Sequence, residues 1–445
     1  MARQRDHVGG QSPIVVPCKY LSSPPFSQAS ARSHSRLDRR RNYAALLAHG
    51  LLGMTGFRLL QAPTFLPTYI NLLTGANAAV GVASACQSLG MFVSPLLSAA
   101  LVEHRRHVKW VALLFGGVMR FQMLLLALVA LFAPVEVAVF LVWPVLLVWG
   151  FSSGMQMVAF NLLFAKSVPV GRRGRLQGTR NLAAGTSVIL LSVAAGWVLD
   201  RYGFPRGYGL TFLGAALLAA TGLVFMGFIR EPAALDVHDA GLDLRARLGK
   251  LPDLLRSDPH YARFLAARLL TGAGRGALPF YVLLVGERFG VSGARLAGLT
   301  VTFAAAQSVG ALVWGLLGDR SGYRAVYVLA LGSWILGSVT VLWAPVFPIA
   351  YTVFLLVGAG FSGVMLASQN LVLEFGRERD RPMRIAATHS LAEASGVAGF
   401  LTAGVVSQLA PIETVFLVAI VLHLLALRKL IRIEDPRRTA SEPAL

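Results

Sequence analysis

GMQMVAFNLLFAKSVPVGRRGRLQGTRNLAAGTSV (residues 154–188) and GVMLASQNLVLEFGRERDRPMRIAATHSLAEASGV (residues 363–397) are two copies of one pattern. They align without gaps at an offset of 209, with identities at Gly154/Gly363, Asn161-Leu162/Asn370-Leu371, Arg175/Arg384, Thr179/Thr388, Leu182-Ala183/Leu391-Ala392 and Val188/Val397. Each copy leaves one apolar stretch, crosses a basic loop and enters the next. Outside these copies the echoes continue in the same order. Leu66-Pro67-Thr68-Tyr69 matches Leu278-Pro279-Phe280-Tyr281, and Gln87-Ser88-Leu89-Gly90 matches Gln307-Ser308-Val309-Gly310. Phe228-Ile229-Arg230-Glu231-Pro232 ends one half and Ile431-Arg432-Ile433-Glu434-Asp435-Pro436 the other. Matches in the same order at nearly the same spacing mark a duplicated chain.

The duplicated unit is a set of six apolar stretches. Twelve occur in all, near 43–72, 78–102, 108–132, 135–165, 178–199, 207–229, 261–286, 294–317, 323–343, 346–373, 384–409 and 412–431. We number them spans 1 to 12. At roughly 20 to 31 residues each is long enough to cross a hydrocarbon core of about 30 Å as a helix. Barrel strands would be about ten residues long and alternate in polarity, and no such pattern is seen. Composition agrees: 55% of residues are hydrophobic and only 14% charged, far below a soluble chain's usual quarter. The expected fold is therefore an all-α membrane protein, two six-helix bundles in parallel repeat about an axis along the membrane normal.

A net charge of +20 invites a nucleic-acid reading, but its placement argues otherwise. Basic residues crowd the N-terminal tail and every second loop: Arg105, Arg106 and Lys109; Lys166, Arg172, Arg173 and Arg175; Arg320 and Arg324; Arg377, Arg379, Arg381 and Arg384. The alternate loops are short and nearly bare. That asymmetry is the positive-inside rule, and it predicts both termini in the cytoplasm of a bacterial inner membrane. The organisation expected is a disordered cytoplasmic tail over 1–41, a bundle over 42–229, a cytoplasmic linker over 230–260, a second bundle over 261–432 and a short tail over 433–445. Asp243 to Arg256 suits either an amphipathic helix on the membrane face or a plain solvated linker. Cys18 and Cys86 lie too far apart in setting to predict a disulfide, and no metal-ligand spacing exists.

At the end of span 8 the chain reads Gly315-Leu316-Leu317-Gly318-Asp319-Arg320-Ser321-Gly322-Tyr323-Arg324. This resembles the G-x-x-x-D-R-x-G-x-R loop signature of the major facilitator superfamily. The resemblance implies a twelve-helix secondary transporter, a monomer holding a small solute in a central cavity lined by spans 1, 4, 7 and 10. It also implies a cytoplasmic gate at Gly315, Asp319, Arg320, Gly322 and Arg324. The N-terminal copy departs from the pattern: ungapped alignment sets Pro95 opposite Gly315 and Ala99 opposite Asp319, and the nearest acid is Glu103. Glu103 either substitutes from a shifted position or leaves the first gate without its acid.

Charged side chains at membrane depth are costly and face a bundle interior or aqueous cavity. Arg58 in span 1, Arg120 in span 3, and Arg268 and Arg275 in span 7 are such cases. Arg58 and Arg275, with Arg268 after them, are the candidates for an anionic substrate; capping of carbonyls or pairing between helices is the plainer role. Span 11 carries His389 and Glu393, four apart and on one helical face. Glu393 reads as a proton carrier, with His389 beside it, or as one half of a fixed ion pair with an interior arginine. Gln156 and Gln369 are candidates to orient a substrate, although membrane amides more often bond across neighbouring helices. Pro63, Pro67, Pro144 and Pro279 are expected to kink spans 1, 4 and 7.

No Walker-type Gly-Lys-Ser/Thr loop is present, so transport would run on a gradient. The leading expectation is a transporter of a small, anionic organic solute coupled to protons, with bilayer and solute as its partners and no cofactor. A multidrug or metabolite exporter of the same fold is the nearest alternative. An integral-membrane enzyme would need clustered His, Asp or Ser, and the nine histidines are scattered. A transport-dead sensor stands as a further alternative.

Overall fold

The computed structural model describes residues 36–103, 107–232, 251–375 and 381–433. Most of both expected tails and much of the linker lie outside them. Among the described residues the regular structure is helical, and eleven helices are long and apolar enough to cross a membrane. The twelfth is Asn77–Glu103, which packs between spans 4 and 11. Outward faces carry large apolar side chains open to their surroundings, among them Trp110, Phe140, Leu190, Trp197 and Trp343. A soluble protein could not expose such a surface, whereas lipid covers it.

Spans 2 to 6 and 8 to 12 are single helices within a few residues of their expected bounds, except that span 5 starts earlier, at Val170. Span 1 differs more. It begins at Arg36, inside the segment expected as tail, because Arg41 Nε donates to Phe228 O (3.0 Å) and Arg230 pairs with Asp38 (2.8 Å). It then passes through a π-turn at His49–Gly53, continues as Met54–Gln61, breaks, and resumes as Phe65–Thr74. The break follows from Pro63: Ala62, the residue before it, is extended (φ −62°, ψ 141°), and a proline has no N–H to continue the ladder. Span 7 breaks at the matching place, where Pro259–Gly274 gives way to a 3₁₀ turn at Arg275–Ala277 and Pro279 caps Phe280–Phe289. Pro144 lies inside the unbroken helix Val135–Ser167, so the breaks in the ladder fall on spans 1 and 7. The part of the linker that is described, Leu251–Ser257, is helical; Asp243 to Lys250 lie outside the described residues.

The two bundles meet through spans 2 with 11 and 5 with 8. Hydrogen bonds that join them gather at the end remote from the basic loops. Asp200 accepts from the backbone N–H groups of Gly293 (2.6 Å) and Ala294 (2.9 Å), capping span 8 from the end of span 5. Asn77 donates to Glu287 (3.0 Å), and the hydroxyls of Thr64 and Thr300 lie 2.6 Å apart. Close approach there needs small residues: a Cβ on Gly196 would come within 2.6 Å of Gly293 O, and one on Gly293 within 2.0 Å of Gly196 O. At the basic end, Gly171, Gly174 and Gly178 of span 5 and Gly315 of span 8 face open space. Among the described residues the bundles are thus hydrogen-bonded to each other at the end away from the basic loops.

A leucine at Gly196 should force the clasped end open. Cysteines at Asn77 and Glu287, in a chain with Cys18 and Cys86 changed to serine, are expected to cross-link readily on oxidation. Adding Gly196→Leu should cut the cross-linked fraction at least about threefold, the response expected when close helix packing is blocked.

Candidate functional site

Because span 7 unwinds at Arg275, that side chain is carried on a break at the centre of the molecule. Its guanidinium meets Glu393 of span 11 in a two-pronged pair, Nη1 to Oε1 at 3.1 Å and Nη2 to Oε2 at 2.7 Å. The pair is largely enclosed, with side-chain exposures of 14% and 9%. The ring of Phe400 packs against the guanidinium, 5.5 Å from its centroid. Gly396, one turn past Glu393, leaves the space: a Cβ there would lie 2.4 Å from Arg275 Nη2. Two parallel charge-assisted bonds fix both partners and offset much of the cost of burying them.

The pair forms part of the wall of a chamber of about 310 Å³ shared by both bundles. His389 and Gln369 join it from the C-terminal bundle, and Gln61, Gln87, Ser84 and Ser88 from the N-terminal one. Most of the remaining wall is apolar, including Leu66, Ile70, Met157, Phe361 and Met365. A second cavity of about 170 Å³ holds Arg58, Gln61, Gly185 and Gln307 and shares Gln61, Ala62, Leu278 and Phe361 with the first. Arg58 donates to Asn181, to Oδ1 at 3.2 Å and to the carbonyl oxygen at 3.4 Å. Among the described residues it has no carboxylate partner.

The structure therefore brings Arg275, Glu393, His389 and Gln369 together, with Arg58 in the adjoining cavity. Arg268 stays beneath them, buried, with Nη2 4.0 Å from Met365 Sδ. Gln156 departs from expectation. It turns from the chamber to accept from Arg120 Nη1 (3.1 Å), because Arg120, buried between spans 3 and 6, needs acceptors beyond the carbonyls of Ala219 and Gly116. Of the residues that matter here, Asn181 and Asp200 carry no sequence signal that singles them out. Asn181 falls beside repeat identities but has no matching amide, and Asp200 looked like any acid at a helix end. Gln61, Gln87 and Gln307 carried a signal, as amides inside apolar spans.

The gate signature is also resolved in part. Gly322 (φ 81°) is the single residue between spans 8 and 9, a turn that strains any side chain but hydrogen. Arg324 then caps the end of span 12, donating to Leu430 O (3.2 Å) and Ile431 O (2.7 Å). Asp319 accepts from Tyr323 (3.3 Å), and Arg320 is exposed. A Cβ on Gly315 would meet nothing within 4 Å among the described residues. In the N-terminal half Lys109 takes Arg324's part, donating to Gly227 O and Ile229 O at the end of span 6. Buried Glu231 caps span 3 beside it, accepting from Val108 N (2.9 Å) and Lys109 N (2.8 Å). The ungapped alignment of that loop is thus out of register at its far side. Glu103 closes the helix of span 2, and its side chain lies outside those described.

Comparison with known proteins bears on the fold. Residues 264–444 match the family model described as Major Facilitator Superfamily. No curated relative matches the sequence significantly. Among solved structures, a mutant of the nucleoside transporter NupG is similar with a TM-score of 0.71 at 15% identity, over 88% of this chain and 99% of that one. A D-xylose–proton symporter is similar at 0.65 and 14%, covering 90% and 98%. The human organic anion transporter MFSD10 is similar at 0.60 and 18%, covering 88% and 99%. Identities this low carry the architecture and nothing finer.

Removing one member of the buried pair leaves the other uncompensated, at a cost of roughly 3–5 kcal/mol. Glu393→Gln is expected to lower the thermal unfolding midpoint in detergent by several degrees, and Arg275→Gln/Glu393→Gln together to restore much of it. Equal midpoints for the single and double variants would mean the pair contributes nothing as a pair.

Proposed function

We propose that this chain, a member of the major facilitator superfamily, is a secondary transporter of a small organic anion, coupled to protons through Glu393. The observation that carries the reading is the Arg275–Glu393 pair, set on a helix break in a chamber shared by both bundles. A charge pair at membrane depth is retained where ions or substrates pass. The broken spans supply free backbone groups and a hinge where only a cavity tolerates them. The clasp at the end away from the basic loops suits one stage of alternating access, with those loops and both termini read as cytoplasmic.

Proton coupling follows from the pair's own electrostatics. A carboxylate held by a guanidinium keeps its proton off. When the pair loosens, Glu393 sits in a low-dielectric chamber that favours the neutral acid, and it takes a proton. An anion entering beside that chamber sets a second negative charge near Glu393, and Glu393 binds a proton as the anion enters. Proton and anion would then load together, and His389, four residues before Glu393 on the same face, lies on the proton's path. The excess of interior arginine favours this over an exporter of cationic drugs.

Proteoliposomes with an imposed pH gradient test the reading against a panel of organic acids and neutral metabolites. Wild type should accumulate at least one acid against its gradient. Arg275→Ala should reduce that uptake at least about tenfold, as expected when a charged partner in a substrate chamber is removed. Glu393→Gln should abolish gradient-driven accumulation while leaving exchange of preloaded solute. Accumulation that persists in Glu393→Gln would remove that residue as the proton site, and flux confined to neutral solutes would remove the anion.

A further inference from the structure

Five arginines of the described spans lie at depth, and their commitments differ. Arg275 is neutralised by Glu393 through two short bonds. Arg120 is spent on two backbone carbonyls and Gln156. Arg180, 2% exposed, is packed on Phe160, with its guanidinium carbon 4.8 Å from the ring centroid. Arg268 is buried beneath the chamber. Arg58 borders the cavity beside the central chamber and meets only Asn181, at distances near the long end of the hydrogen-bond range, whereas Arg120, which lines a separate cavity with Phe121 and Leu124, is already held by three acceptors.

Resting on the transport reading above, we infer that the carried solute bears one negative charge at the end of an apolar body, and that this charge docks at Arg58 rather than at Arg275. Arg58, Gln61 and Gln307 line the smaller cavity, so a carboxylate there would find a planar cation and two amides. A guanidinium facing Asn181 at 3.2 and 3.4 Å gives up little when a carboxylate replaces that contact. Binding at Arg275 would instead begin by breaking a salt bridge. The cavity borders the larger chamber at Leu278 and Phe361, which line both, and in that chamber Leu66, Met157, Met365 and Phe400 offer an adaptable apolar wall. One uncompensated cation balances one anionic charge. A second carboxylate on the solute would enter the chamber, where the one guanidinium in the wall is already held by Glu393.

Three probes of similar skeleton or charge separate the possibilities: phenylacetate, its neutral isostere phenylacetamide, and the dianion succinate. Phenylacetate should raise the thermal unfolding midpoint of the purified protein, and succinate and the amide should not. Arg58→Gln should need at least about tenfold more phenylacetate, and Arg58→Lys should fall between, since it keeps the charge without the fork. Where Arg58→Gln does not fold, Gln307→Cys in the Cys18→Ser/Cys86→Ser chain gives a second readout. Phenylacetate should slow its reaction with a thiol reagent at least about threefold, as a bound ligand shields the wall it touches.

A wild-type response to phenylacetate in Arg58→Gln, an unprotected Gln307→Cys, or a preference for succinate would overturn the docking inference while leaving transport of anions standing. Equal responses to phenylacetate and its amide would overturn the inference through the charge itself. In proteoliposomes, flux of neither acid, amide nor any panel metabolite would bring down the transport reading on which it rests.

Discussion

A guanidinium cannot remain in hydrocarbon without acceptors, and that constraint organises this molecule. Each buried arginine is met in its own way, and the ways sort by position. Arg120 is absorbed by backbone carbonyls and Gln156, Arg384 by Asp258 (2.5 Å) and the ring of Tyr261, and Arg275 by a carboxylate on the neighbouring span. The first two are structural ties inside one bundle. The third faces a space that both bundles share, so whatever disturbs it is felt where the bundles meet.

The helix breaks follow the same logic. Spans 1 and 7 interrupt their hydrogen-bond ladders at equivalent places, near Pro63 and Arg275, and at both places the chamber lies alongside. Broken backbone at membrane depth is tolerable only where protein or water can satisfy it. The unwinding brings Arg275 to the chamber and lets Thr64 reach Thr300 across the bundle boundary. Small residues then set how tightly the clasped end closes, and a capped helix, span 8 on Asp200, holds it.

Much of the architecture was legible in the sequence because lipid leaves few solutions. Twelve stretches of the right length and a duplicated order pointed to the span number and the repeat. Boundaries slipped where tertiary contacts extend a helix: Arg36 to Arg41 look like tail, yet Asp38 and Arg41 are tied to Arg230 and Phe228. The candidate site was legible in its charges and not in its pairings. Helical spacing put His389 and Glu393 on one face, but no local pattern says that Glu393 meets Arg275, 118 residues away, or that Gln156 turns to Arg120. Repeat identity misled in one respect. Arg175 and Arg384 align, yet Arg384 is buried on Asp258 while Arg175 is exposed, because identical residues in duplicated halves keep position without keeping partners.

Alternating access is tested most directly by asking from which side the chamber can be reached. A cysteine at Gln369, in a chain with Cys18 and Cys86 changed to serine, can be exposed to a membrane-impermeant thiol reagent in right-side-out and in inside-out vesicles. A carrier that opens to each side in turn is labelled from both, and labelling from the side away from the basic loops stops when Asn77 and Glu287 are cross-linked as cysteines. Labelling from one side only, unchanged by that cross-link or by any solute the protein moves, would contradict a central chamber that opens alternately.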